Sequence, residues 1–108
     1  MKNSDVYVQH ILDAIATIEH YVKGVDEAKF FMDQLLQDGV TRQLEIIGEA
    51  TTKLPLAFRK AHTKVPWTVI VSMRNKLIHE YFGVSASTIY QAIHKDLPLL
   101  KQKLVSLY

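Results

Sequence analysis

Cysteine is absent from the 108 residues, which excludes a disulfide framework and any thiolate metal site and suits a reducing compartment. No apolar run approaches the ~20 residues that a membrane span requires. Met1-Lys2-Asn3-Ser4 leads straight into a mixed polar and apolar segment, so neither a signal peptide nor a membrane helix is expected and the implied location is cytoplasmic. Thirteen Lys and Arg against eleven Asp and Glu leave a formal charge of only +2. That is too little for an indiscriminate nucleic-acid coat, though it tolerates an anionic substrate. There is no glycine-rich phosphate loop, repeat, low-complexity tract or useful β-alternating segment. His10 and His20 have no carboxylate cluster beside them, so they read as surface or edge histidines; neither a metal nor a cofactor is expected.

What the chain does contain is helical periodicity. Its length suits one domain over residues 1–108 with a single core. The expected fold is all-α, an antiparallel helical bundle of four to five main helices. A hydrophobic content of 48% leaves room for an oligomer interface as well.

Asn3 or Ser4 is the candidate cap of a first helix, with Asp5 in its positive first turn. Its face is Tyr7, Ile11, Ala14, Ile15, Ile18, Tyr21, Val22 and Val25, and Gly24 loosens its end. The Tyr7 and Tyr21 hydroxyls either reach a groove or belong to wet-ended packing at the core edge. Asp26 can cap a second helix whose apolar side is Ala28, Phe31 and Leu35, with Phe30 and Met32 as lesser members. Gln37-Asp38-Gly39 reads as a break, after which Asp38 or Thr41 caps a helix with Val40, Leu44, Ile47, Thr51 and Leu54 on one face. Within it Gly48 costs about 1 kcal/mol relative to alanine, which suggests a close helix crossing. Glu49 beside it is either a partner for an arginine or a groove, or a solvated residue one position off the apolar face.

Pro55 stops that helix. Arg59, Lys60, His62 and Lys64 then form the densest basic run, which is either a solvated face or a source of phosphate contacts. Ser85 or Ser87 caps the last helix, whose apolar side is Ile89, Ile93, Leu97, Leu100, Leu104 and Leu107. Pro98 removes a helical hydrogen bond there, so a kink or a new helix is expected near Asp96. Tyr90 and Tyr108 read as packing residues.

The stretch between Pro66 and Gly83 is the unusual one. Pro66 suits a helix start and Gly83 a helix end. Trp67, Ile70, Val71, Leu77, Ile78 and Tyr81 fall on one side at about 100° per residue. Arg74 falls within about 20° of the centre of that side, where a core-facing helix would carry Leu or Ile. Its guanidinium cannot lose its proton, so it needs a carboxylate, water or another anion. Asn75 and His79 lie on the flank, one turn apart. Arg74 and His79 are separated by roughly 7.5 Å along the axis and about 140° around it, too far for a direct bond within one helix but suited to gripping one ligand from two sides.

Arg74-Asn75-Lys76-Leu77-Ile78-His79-Glu80-Tyr81 resembles the signature of the HepT-like branch of the HEPN superfamily, an Arg, four residues, a His, one residue and a Tyr. Leu44-Glu45-Ile46-Ile47-Gly48-Glu49-Ala50, the Pro66-Trp67 helix start and Asp96-Leu97-Pro98-Leu99 are similar to that branch in the same order, so the resemblance covers most of the chain. Tyr90 stands where relatives often carry Trp.

The resemblance implies a toxin of a type VII-like toxin–antitoxin pair. Such a toxin is a metal-independent endoribonuclease with a composite site in a homodimer groove. Carried over, His79 is the acid or base and Arg74 holds the scissile phosphate. Asn75 and Glu49 support them, and Arg59, Lys60, His62, Lys64 and Lys76 are candidate RNA contacts. The implied partners are a second copy, with further assembly open, an RNA substrate, and a minimal nucleotidyltransferase antitoxin that transfers AMP to Tyr81. The alternative is a non-catalytic helical partner of such a nucleotidyltransferase.

Overall fold

The computed structural model describes residues 3–79 and 85–107. In chain order these form α1 (Asn3–Val22), α2 (Glu27–Met32), α3 (Gln34–Lys53), α4 (Leu56–Ala61), α5 (Trp67–His79), α6 (Ala86–Gln91), a π-helical turn (Ala92–Asp96) and α7 (Leu97–Val105). The fold is all-α, and among the described residues there is no strand. None of these helices is long and apolar enough to cross a membrane. The main members are α1, α3, α5 and the composite C-terminal helix.

The central helix is α3, which packs against α1 and α5. Tyr21, near the end of α1, lies against Gly39 in the first half of α3. Tyr7, near the start of α1, shares a groove with Lys53 at the end of α3. The two helices are therefore antiparallel. Val8, Ile11, Ile15 and Ile18 of α1 and Val40, Leu44 and Ile47 of α3 are buried in the same cluster as Ile93, Leu97, Leu100 and Leu104 of the C-terminal helix. The anticipated face of α3 is buried at every position, including Thr51, whose hydroxyl donates to the Ile47 carbonyl, and Leu54 just beyond the helix end. On α1, Val8 takes a core place, whereas Tyr21 is exposed. The α1 helix ends at Val22, and Gly24 follows with φ +74°, the left-handed geometry that glycine adopts without steric cost.

Two expectations in the next segment need correction. Asp26 does cap α2, accepting from the Lys29 N–H, but the buried aromatic is Phe30. Phe31, Met32 and Leu35 are exposed, as is Ala28. The break also falls at Asp33, not at Gln37-Asp38-Gly39. Asp33 ends α2 and caps α3 by accepting from the Leu36 N–H, and the Gln37 side chain donates to the Phe30 and Phe31 carbonyls, tying the corner together. Gly39 lies within the helix, with the Tyr21 ring against it.

Pro55 separates α3 from α4 as anticipated. Trp67 is buried at the start of α5, and its indole N–H donates to the His62 carbonyl. Pro66 precedes the helix and accepts from the Ile70 N–H. At the other end of the chain Ser85 caps α6, accepting from the Thr88 N–H. The disturbance expected near Asp96 is the π-helical turn, in which the Leu97 N–H bonds to the Ala92 carbonyl. This wider turn absorbs the hydrogen bond that Pro98 cannot make and lets Ile93 and Leu97 stay in the core. Tyr90 packs on Phe30, with ring centroids 5.5 Å apart. Gly83, Tyr108 and the end of the signature stretch at Tyr81 lie outside the described residues.

Candidate active site

The crossing of α3 and α5 is set by Gly48. A Cβ at this position would overlap Cβ and Cγ of Arg74, so only glycine lets the stem of Arg74 rest on the α3 backbone. That close approach decides where the guanidinium emerges. Its Nη2 donates to Glu49 Oε2 at 2.6 Å and its Nη1 donates to Asn75 Oδ1 at 2.9 Å. The ion pair is partly exposed, with 26% of the Arg74 side chain and 49% of the Glu49 side chain open to solvent.

Both readings of Glu49 therefore hold in part: it is solvated, and it is the arginine's partner. The apolar side of α5 is also less buried than its periodicity suggests. Trp67 and Leu77 are buried, Ile70 and Val71 are half-buried, and Ile78 is exposed. Arg74 thus lies at the border of core and solvent.

The guanidinium remains incompletely satisfied. Its Nε is buried without a hydrogen-bond partner, a state that costs free energy. Its other N–H groups beyond the two tethers have no acceptor among the described residues. Because Nε is closed off from solvent, the N–H groups left for an anion such as a phosphate are the remaining ones on Nη1 and Nη2. Asn75 is exposed beside it. The backbone of α5 continues through His79, five residues beyond Arg74, so Arg74, Asn75 and His79 share one helix and its last two turns. Tyr81 lies outside the described residues.

The basic run is not gathered at this point. Arg59 and Lys60 line a cleft with Thr63, Pro66, Trp67 and Thr68 at the start of α5, two turns before Arg74. His62 packs its ring on Phe58, with centroids 4.5 Å apart. Lys60, Lys64 and Lys76 are exposed, and Arg59 is half-buried with its Nε unpartnered. Among the described residues, no three His, Asp or Glu side chains cluster so that they could hold a metal ion.

A second groove opens on the other side of Glu49. It holds about 230 Å³ and is lined by Tyr7 and His10 of α1 and by Arg42, Ile46, Glu49, Ala50 and Lys53 of α3. From sequence alone Tyr7 is undecided and these residues are not connected. The available signal was the spacing 42, 46, 49 and 53, which falls within about 60° on one side of a helix.

Residues 11–107 match the family model described as Ribonuclease HepT-like. The chain belongs to that family, a branch of the HEPN superfamily. It is 45% identical over 103 residues to a provisionally named RNase of Caldanaerobacter subterraneus subsp. tengcongensis, covering 95% of this chain and 92% of that one. It is 39% identical over 97 residues to a probable ribonuclease HepT of Thermococcus cleftensis, covering 90% and 88% respectively. A gamma-glutamylcyclotransferase and provisionally named RNase of Methanocaldococcus jannaschii is 41% identical over 106 residues, which is 98% of this chain. The chain spans about half of that relative, 48% of its length. No solved structure matches the chain.

Proposed function

We propose that this chain is an endoribonuclease of the toxin type and that Arg74 and His79 carry its chemistry. The observation that supports this best is the Arg74 guanidinium, seated on Gly48, tethered at two corners and still short of acceptors, on the same helix as His79 within a HepT-like chain. RNA supplies its own nucleophile, so cleavage needs proton transfer and a fixed cation rather than a covalent side chain. In the proposed reaction the 2′-hydroxyl gives up its proton and O2′ forms a bond to the adjacent phosphorus. The bond from phosphorus to the 5′ oxygen breaks, and that oxygen takes a proton. The products are a 2′,3′-cyclic phosphate end and a 5′-hydroxyl end. His79 serves as acid or base at one of these oxygens. Arg74 holds the phosphate and stabilises its growing charge, while Asn75 and Glu49 orient Arg74.

The separation of Arg74 from His79 along one helix is answered by a homodimer, in which two copies of each residue converge on one groove. Arg59, Lys60, His62, Lys64 and Lys76 are outlying backbone contacts in this reading. The proposed regulator is a minimal nucleotidyltransferase that transfers AMP to Tyr81, adding a bulky anion that competes with RNA for Arg74.

A second reading draws on the Glu49–Arg74 pair itself. An arginine with a carboxylate partner 2.6 Å away also fits a non-catalytic helical partner of a nucleotidyltransferase, in which the pair is structural. Expression of the parent and His79→Ala in cells, followed by RNA analysis, separates the two. Depletion of an RNA by the parent, reduced 100-fold or more in His79→Ala, is the expected outcome. Equal RNA profiles and equal toxicity would favour the second reading.

A further inference from the structure

The α1–α3 groove has a composition that the Arg74 chemistry does not use. Its floor is apolar, made by the Tyr7 ring, Ile46 and Ala50. Tyr7 is half-buried and His10 exposed, and their rings meet edge to face with centroids 6.0 Å apart. Arg42 and Lys53 flank the floor from α3 and are both exposed. Neither forms an ion pair among the described residues. Among the described residues, Glu49 is the only carboxylate lining the groove, and it is already bonded to Arg74. That bond also joins the groove to the candidate active site.

We infer that the groove between Tyr7 and His10 of α1 and Arg42 and Lys53 of α3 binds single-stranded RNA beside the cleavage site. Its volume of about 230 Å³ lies below the roughly 300–1,000 Å³ of pockets that enclose whole small molecules, which suits one unstacked base. A base stacked on the exposed His10 ring, with the perpendicular Tyr7 ring at its edge, gains stacking that does not depend on its identity. Arg42 and Lys53 lie eleven residues apart, roughly 16 Å along α3, so they mark two points along a nucleic-acid backbone rather than one clamp. Aromatic rings between spaced cations are the combination that grips single strands without reading sequence. The free cations favour an anionic polymer over a second copy of this chain, which would bring Arg42 and Lys53 toward an equally cationic surface or leave them unpaired.

The inference rests on the endoribonuclease reading for its substrate class, but its test does not depend on cleavage. A fluorescent 2′-O-methyl oligoribonucleotide, which has no free 2′-hydroxyl to attack, is titrated against the full chain at several salt concentrations. Arg42→Gln/Lys53→Gln is expected to weaken binding and to flatten the slope of log affinity against log salt by about 1.4, the value for two lost contacts to a single strand. His10→Ala is expected to weaken binding about fivefold or more with an unchanged slope. Both changes lie on exposed positions, and melting curves equal to the parent's establish that the variants are folded. Unchanged affinity and slope in both variants would overturn the inference, as would dissociation of an oligomer by Arg42→Gln/Lys53→Gln with RNA affinity preserved. Failure of the parent to cleave RNA would count against the endoribonuclease reading and would leave this binding result to stand or fall alone.

Discussion

The central helix α3 meets α1 through apolar packing and α5 through a crossing that is partly polar. Toward α1 and the core it presents Val40, Leu44 and Ile47, all buried, and the junction is held by apolar area. Toward α5 it shares that apolar packing, since Leu44 and Ile47 line one pocket with Ile70 and Met73, and it adds Gly48 and Glu49, a missing side chain and a half-exposed carboxylate. The first junction stabilises the bundle, at about 25 cal/mol for each Å² of apolar surface removed from water. The Gly48–Glu49 part of the second adds little to that, because a partly exposed ion pair is worth ~1 kcal/mol or less. What it provides is position, since Gly48 fixes how near Arg74 lies to α3 and Glu49 fixes where its guanidinium points. A polar crossing with small energetic return, placed next to the signature helix of a HepT-like chain, accords with the proposed role of Arg74.

This contrast can be broken at its stable side first. Phe30 is fully buried and packs on Tyr90, so Phe30→Ala should lower stability by about 3–5 kcal/mol in urea unfolding. The RNA cleavage rate per folded molecule should stay near the parent's. A loss of cleavage out of proportion to unfolding would erase the distinction between the two sides.

Gly48→Ala tests the other side. Alanine gains about 1 kcal/mol in helix propensity, whereas forcing a methyl group into the Arg74 stem costs about 1–3 kcal/mol, so the net change is neutral to destabilising by ~2 kcal/mol. The overlapped atoms sit near the α5 backbone, and the helices must move apart to relieve them. Cleavage should therefore fall by more than the stability loss explains. A variant of parental activity would show that the close crossing does not position Arg74.

The smallest effect is expected from Glu49→Gln, which keeps a hydrogen-bond acceptor and removes the charge. Its melting temperature should fall by an amount matching less than ~1 kcal/mol, and the difference should shrink as salt is added. Cleavage should drop only a few-fold, because Gly48 and Asn75 still hold the arginine. A large, salt-independent stability loss would mark the pair as structural.

The same contrast explains what could be read from the sequence. The α3 face and the Gly48 crossing were legible because a long helix repeats its pattern over several turns and because a mid-helix glycine needs a reason. The disturbance at Pro98 was legible as well, and its form as a π turn was not, since proline dictates the missing bond but not how the turn widens. The α2 region failed because six residues are too few for periodicity to choose between adjacent Phe30 and Phe31. Asp38-Gly39 gives a strong local break signal, yet the helix is already capped at Asp33 and runs straight through it. The basic run from Arg59 to Lys64 was conspicuous in the chain and yet stands two turns away from Arg74 along α5. Charge density in sequence does not say where α4 is carried in space. Arg42 and Lys53, eleven residues apart on α3, do share one groove.

The most direct measurement is RNA cleavage by purified Arg74→Met beside its melting curve. Methionine keeps much of the apolar stem on Gly48 and removes the guanidinium. A folded variant whose cleavage is about 100-fold slower or worse than the parent's is the expected result. A folded Arg74→Met that cleaves RNA at the parental rate would contradict the account, leaving Arg74 as no more than half of a surface ion pair.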